Sequence, residues 1–136
     1  MNIGLDLHGV ISAYPKLFER MSRNLKCDGH KVFIITGQEW DKAEVEVRKY
    51  KISYTDHYSI VDHHRNNGTR MWKDRSGGWC IKDSLWVRSK GDFICEAVID
   101  IHFDDTIAFA KWIPKTCTFV LVPPKNFDKV FSNFSY

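Results

Sequence analysis

The order of apolar patterns in the first fifty residues constrains this chain more than any other feature. Asn2–Leu7 is a short apolar run ending around Asp6 and His8-Gly9, the pattern of a strand running into a turn. From Tyr14 the period changes. Tyr14, Leu17, Phe18, Met21 and Leu25 recur at the spacing of an amphipathic helix, with Pro15 in its first turn and Gly29 beyond its end. Lys31–Thr36 is a second buried strand, broken by Gly37. A second helix spans about Glu39–Lys51, with Trp40, Ala43, Val47 and Tyr50 on one face. No hairpin chemistry joins these elements, so strand–helix–strand–helix order predicts crossover connections and a parallel sheet with helices on its faces.

The last third repeats the theme. Ser89-Lys90-Gly91-Asp92 reads as a helix start, with Asp92 at the capping-box position after Ser89. Val98–Phe103 is a strand ending at Asp104-Asp105. Thr106 caps a short helix to about Trp112, stopped by Pro114, and Cys117–Val122 is a last strand closed by Pro123-Pro124. The middle departs from this pattern. Tyr58–Val61 fits a third strand, and Asp62 to Arg88 is polar and aromatic, with turn signals at Asn66-Asn67-Gly68 and Ser76-Gly77-Gly78. Met71-Trp72 and Trp79–Ile81 flank the second turn as a small hairpin. The expected architecture is one α/β domain over residues 1–136, a three-layer Rossmann-like parallel sheet of about five strands. Its core comprises residues 2–61 and 89–122, with a small insertion cap over about 62–88.

Composition narrows the function classes. The chain is 43% hydrophobic and 14% aromatic, enough for a packed core and incompatible with a disordered segment. No apolar run approaches the ~18–20 residues of a membrane span. The N-terminal residues lack the basic and apolar stretches of a secretory signal. None of the four cysteines (Cys27, Cys80, Cys95, Cys117) forms a CxxC pair, which removes zinc-ribbon and thioredoxin-type motifs. The expectation is a cytoplasmic protein with reduced, mostly buried thiols and no membrane partner.

A net charge of +3 is too small to signal nucleic-acid binding by itself. The 62–88 segment, however, sets six basic residues against three acidic ones and interleaves them with Trp72, Trp79 and Trp86. That mixture suits stacking on a base beside a phosphate, or tryptophans that simply pin the hairpin to the core. Trp40 and Trp112, on helices, read as core. His57, His63 and His64 lack helical metal-ligand spacing and read as a solvated loop. His102 reads as a half-buried strand residue.

In an open parallel sheet, ligands bind beyond the carboxyl ends of the strands. Asp6, Thr36 and Asp104-Asp105 end strands on that edge, and Lys90 stands at the expected helix start. Three carboxylates and an ammonium suit a phosphate and a hard divalent cation, most simply Mg²⁺. In this order, Asp6-Leu7-His8-Gly9-Val10-Ile11, Ile34-Ile35-Thr36-Gly37, Lys90 and Asp104-Asp105 resemble the four motifs of the haloacid dehalogenase-like hydrolase superfamily. The resemblance covers about residues 2–51 and 89–122 and is nearest to small, minimally capped phage and bacterial members.

The resemblance implies roles. Asp6 would be the nucleophile that forms an aspartyl-phosphate, and Lys90 would neutralise the phosphoryl group. Thr36, with Gly37 beside it, would bind a phosphoryl oxygen, and Gly9 would let the backbone approach it. Asp6, Asp104, Asp105 and the backbone carbonyl of His8 would hold Mg²⁺. Position 8 departs from the family's phosphatases, which carry an acid/base Asp there. The expected function is therefore a Mg²⁺-dependent phosphohydrolase acting on a small phosphomonoester, a nucleotide or nucleic-acid end among them, with His8 as acid/base. The alternatives are a catalytically impaired phosphate- or nucleotide-binding protein on the same scaffold, and nucleic-acid binding by the basic insertion.

Overall fold

The structure, a computed structural model, describes residues 1–125; residues 126–136 of the expected domain lie outside the described residues. In chain order it contains β1 (Asn2–Leu5), α1 (Pro15–Cys27), β2 (Lys31–Thr36), α2 (Trp40–Lys49), β3 (Asp56–Ser59) and α3 (Ile60–Asn66). There follow β4 (Trp72–Lys73), β5 (Trp79–Cys80), α4 (Asp83–Glu96), β6 (Ile101–Asp104), a 3₁₀ turn (Ile107–Trp112) and β7 (Thr118–Leu121). Five strands form one sheet in the order β3-β2-β1-β6-β7, with every pair parallel. The chain is thus α/β with a Rossmann-like three-layer arrangement, as its pattern of elements predicts. Among the described residues, no helix is long and apolar enough to cross a membrane.

Burial on both faces explains the strands. Along β2, Val32 and Ile34 join one apolar cluster with Ile3, Leu5, Phe18, Ala43 and Val47, while Phe33 and Ile35 join another with Ile94 and Ile99. A strand covered on both sides reads as a continuous apolar run, which is why Lys31–Thr36 is legible to the residue.

Three boundaries differ from expectation, each for a local reason. The third strand ends at Ser59, whose Oγ accepts the Asp62 N–H at 3.1 Å and caps α3. His63 and His64 therefore lie on a helix. His64 is buried, with Nδ1 2.9 Å from Thr69 Oγ1 and Nε2 2.7 Å from Ser89 Oγ, rather than on a solvated loop. The fourth helix begins at Asp83, so Lys90 sits in its interior and Ser89 is no cap; the Ser89 hydroxyl donates to the Leu85 carbonyl at 2.6 Å. Gly91, read as punctuation, is instead the point where α4 touches the 3₁₀ turn, since a Cβ there would strike the Trp112 carbonyl. The expected insertion over 62–88 shares its ends with α3 and α4, and the β4–β5 hairpin lies between them.

The strand expected from Val98 starts at Ile101 because Val98 closes α4. It takes the left-handed conformation (φ +53°) with Ile99 N–H on the Ile94 carbonyl at 3.0 Å and Val98 N–H on Cys95 at 3.3 Å. This is a Schellman motif with a β-branched residue where glycine is favoured. Two side-chain expectations also need correction. Of the four cysteines, all free thiols, only Cys117 is buried, and Trp112 lies on the surface at 39% exposure.

Two stability predictions follow from these contacts. Val98→Gly should raise stability by about 0.5–1 kcal/mol, because relief of the left-handed strain exceeds the added unfolded-state entropy; Val98→Ala should gain less, as read by urea denaturation. Burial holds the His64 imidazole below its ordinary value of 6.5, so the unfolded chain binds the proton first. Stability should be fully present above 6.5 and fall as pH drops below it. In thermal melts between pH 7.5 and 5.5, His64→Gln should show a shallower decline than the parent.

Candidate active site

From β1 the chain runs outward through β2 to β3 on one side, and from β6 to β7 on the other. The order therefore reverses between β1 and β6, and a crevice opens beyond their carboxyl ends. Asp6 directly follows β1, with its N–H on the Phe103 carbonyl at 3.0 Å, and Asp104 ends β6. From α4, Lys90 reaches between them. Its Nζ donates to Asp6 Oδ1 at 3.1 Å and to Asp104 Oδ2 at 2.8 Å, and the residue is only 2% exposed.

The carboxylates are held unequally. Asp104 is fully buried. Its Oδ2 also accepts from His102 Nε2 at 2.9 Å, and its Oδ1 from the Thr106 N–H at 3.0 Å. Both described bonds to the Asp6 carboxylate, from Lys90 and from the Leu7 N–H at 2.9 Å, end on Oδ1. That leaves Oδ2 without a partner among the described residues.

His102 is wholly buried rather than half-buried, and Gly4 on the neighbouring strand makes room for it: a Cβ at Gly4 would lie 2.8 Å from His102 Nδ1. Sequence reading missed this role. The available signal was the i, i+2 spacing of His102 and Asp104, which places both side chains on one face of β6.

Burial sets the charges. It pushes the Asp6 carboxyl up to about 7, with Asp104 and Asp105 adding to the rise and Lys90 opposing it. Burial also acts to raise Asp104, but the His102 hydrogen bond and Lys90 outweigh it and bring that carboxyl down to about 2. The His102 imidazole is held below its ordinary value by burial, so its one ring proton sits on Nε2, facing Asp104. Oxygens of Asp6, Asp104 and Asp105 lie within 4.8 Å of one another, and among the described residues Lys90 is the one ammonium bonded to them. A purely oxygen donor set short of positive charge fits a hard divalent cation.

Of the remaining expected residues, His8, Thr36, Gly37 and Asp105 line a cavity of about 550 Å³ beside Asp6 and Lys90, and Gly9 lies behind Asp105. Thr36 is buried, and its Oγ1 accepts the Gln38 N–H at 3.2 Å; Gly37 packs against the Trp86 ring. Gly9 has φ +80°, and a Cβ there would run into the Asp105 carboxylate, so conformation and close approach both require glycine. His8 stands at the rim. Its Nε2 lies 2.7 Å from Glu46 Oε2 on α2, and its side chain is 53% exposed.

The structure thus brings Asp6, Lys90 and Asp104 into direct contact. It sets Thr36, Gly37 and Asp105 on the surrounding wall and His8 at the edge. Neither Glu46 nor Gln38 stood out in the sequence. Comparison of the chain with protein-family models, with curated proteins and with solved structures finds no match in any of the three.

Lys90 compensates two buried carboxylates, so its removal should be costly. Lys90→Met should lose about 3–5 kcal/mol in chelator. Added Mg²⁺ should raise its melting temperature more than it raises that of the parent protein, as followed by calorimetric melts.

Proposed function

We propose that the protein is a Mg²⁺-dependent phosphohydrolase of the haloacid dehalogenase-like type, acting on a phosphomonoester. The observation that carries this reading is the Asp6–Lys90–Asp104 triad at the point where strand order reverses. Asp6, Asp104, Asp105 and the His8 carbonyl would hold Mg²⁺, which when bound neutralises phosphoryl oxygens beside the carboxylates.

The roles follow from donor and acceptor inventories. Lys90 holds Oδ1 of Asp6, leaving Oδ2 to attack phosphorus. The new bond joins Oδ2 to phosphorus, and the bond from phosphorus to the alcohol oxygen breaks. Water then attacks the phosphorus of the aspartyl-phosphate, releasing inorganic phosphate and Asp6. Thr36 Oγ1 already accepts from Gln38, so its own O–H remains to donate to a phosphoryl oxygen. The His8 Nε2 is bonded to the Glu46 carboxylate, which only accepts, so Nδ1 is the nitrogen that gives a proton to the leaving oxygen and takes one from water. Glu46 is its positioning residue.

The His8 contact also favours a second reading, a phosphate-binding protein without efficient turnover, because the imidazole is engaged at the rim with Glu46. A phosphomonoester panel separates the two. Asp6→Asn should abolish turnover, and His8→Ala should lower kcat by about 10²–10⁴-fold with little change in fold by circular dichroism. A wild-type protein no faster than Asp6→Asn would leave only the binding reading.

A further inference from the structure

The cavity is much larger than the phosphate end requires. At about 550 Å³ it falls within the ~300–1,000 Å³ of pockets that enclose a whole small molecule. Beside its polar residues, which include Glu39 and Lys42 on the α2 side, the wall carries an apolar and aromatic set: Val61, Trp79, Trp86, Val87, Ala108 and Phe109. Trp86 is held by its contact with Gly37, where a Cβ would come within 2.7 Å of its ring. Trp79 sits under two cations, with Arg65 at 5.1 Å and Lys73 at 4.7 Å from its ring centre. The hairpin that carries Trp79 is locked by Asp74, whose Oδ1 accepts from Ser76 N–H, Ser76 Oγ and Gly78 N–H at 2.7–3.0 Å. The aromatic wall is therefore preorganised rather than a loose flap.

One polar group in this wall lacks a partner. Gln38 has its backbone pinned on both sides, its N–H on Thr36 Oγ1 and its carbonyl accepting from Ser59 Oγ at 2.7 Å. Its side-chain Oε1 is buried with no hydrogen-bond partner. A buried unpaired acceptor costs about 1–3 kcal/mol, and because Gln38 lines the cavity, a turn of its side chain toward that space would let a ligand donor meet Oε1. A primary amide presents an acceptor and a donor side by side in one plane, the pattern that matches the edge of a nucleobase.

We propose that the cavity takes a nucleoside monophosphate, with its phosphate at the Asp6–Thr36–Lys90 end, its base stacked on Trp86 under Trp79, and the Gln38 amide on the base edge. The proposal names the substrate class of the phosphohydrolase read above and rests on that reading for the placement of the phosphate. A free mononucleotide rather than a strand end is favoured because the Gly77-Gly78 turn and Trp79 form part of the cavity wall.

The test is rapid-mixing tryptophan fluorescence in Mg²⁺ buffer, read before turnover, with the four common nucleoside 5′-monophosphates, adenosine, ribose 5-phosphate and a 5′-phosphorylated oligonucleotide. The best mononucleotide should bind about tenfold or more tightly than ribose 5-phosphate, the increment of one stacked base. Trp86→Leu and Gln38→Leu should each remove most of that advantage and leave ribose 5-phosphate binding within about twofold. Gln38 lies outside the three apolar clusters, so Gln38→Leu keeps the test decisive should Trp86→Leu fail to fold. Equal binding of mononucleotide and ribose 5-phosphate overturns the proposal, as do variants that weaken both alike. An oligonucleotide that binds far more tightly than any mononucleotide, with steep salt dependence, also overturns it. Phosphate release is scored separately. Base-dependent binding without release keeps the subsite and sinks the phosphohydrolase, whereas equal kcat/KM on all esters keeps the phosphohydrolase and sinks the subsite.

Discussion

Burial of the Lys90 ammonium between two carboxylates is the constraint around which the rest of this structure is arranged. Charges removed from water are costly unless paired and hydrogen-bonded, and the neighbourhood meets most of that demand, leaving Asp6 Oδ2 and the buried His102 Nδ1 without partners among the described residues. The Leu7 N–H and Lys90 share Asp6 Oδ1, the Thr106 N–H takes Asp104 Oδ1, and His102 joins Lys90 on Asp104 Oδ2. Gly4, in the central strand, leaves room for the His102 ring and for Ile35. A chain selected for stability alone would fill this position with hydrocarbon. Breaking local rules in one place while obeying them elsewhere is the signature of a functional site.

The parts legible in the sequence are those in which local pattern and tertiary environment agree. Lys31–Thr36 announces itself because both faces are buried, and the stripe from Tyr14 to Leu25 finds α1 because one face is, although Leu17 stands out at 59% exposure and Ser22 is buried in its place. The four carboxyl-edge positions, Asp6, Thr36, Asp104 and Asp105, were legible because parallel topology sends every strand end to one rim. The start of α4 was not. Its inward face carries Ser89, Lys90 and Gly91, residues that read as a boundary, and each is buried for a different reason. Ser89 meets His64, Lys90 meets the carboxylates, and Gly91 meets the Trp112 backbone. Partners on distant elements carry no signal at the residue they explain, which also hid Glu46 and Gln38.

The hairpin between α3 and α4 shows how little secondary structure is needed to close a cavity. Two strands of two residues each have no independent stability. Side chains supply the order: Asp74 fixes the turn, Ile81 joins Ile60 and Phe109 in an apolar cluster, and Arg65 and Lys73 hold the Trp79 ring. The basic residues of this segment thus have local work beside the tryptophans, and their excess over acidic ones is not by itself a nucleic-acid footprint.

The imidazole at position 8 is consistent with the electrostatics of the crevice rather than a simple loss. A carboxylate there would be a further negative group near Asp6, Asp104 and Asp105, whose bonded ammonium among the described residues is that of Lys90. Burial and the neighbouring acids already push the Asp6 carboxyl up to about 7, and another anion would push in the same direction. An imidazole at this position adds no negative charge to the pocket. The carboxylate that accompanies it, Glu46, sits on α2 at 37% exposure, where water shares the cost of its charge. The His8–Glu46 pair is thereby kept at the solvated rim, outside the carboxylate cluster on the floor of the crevice.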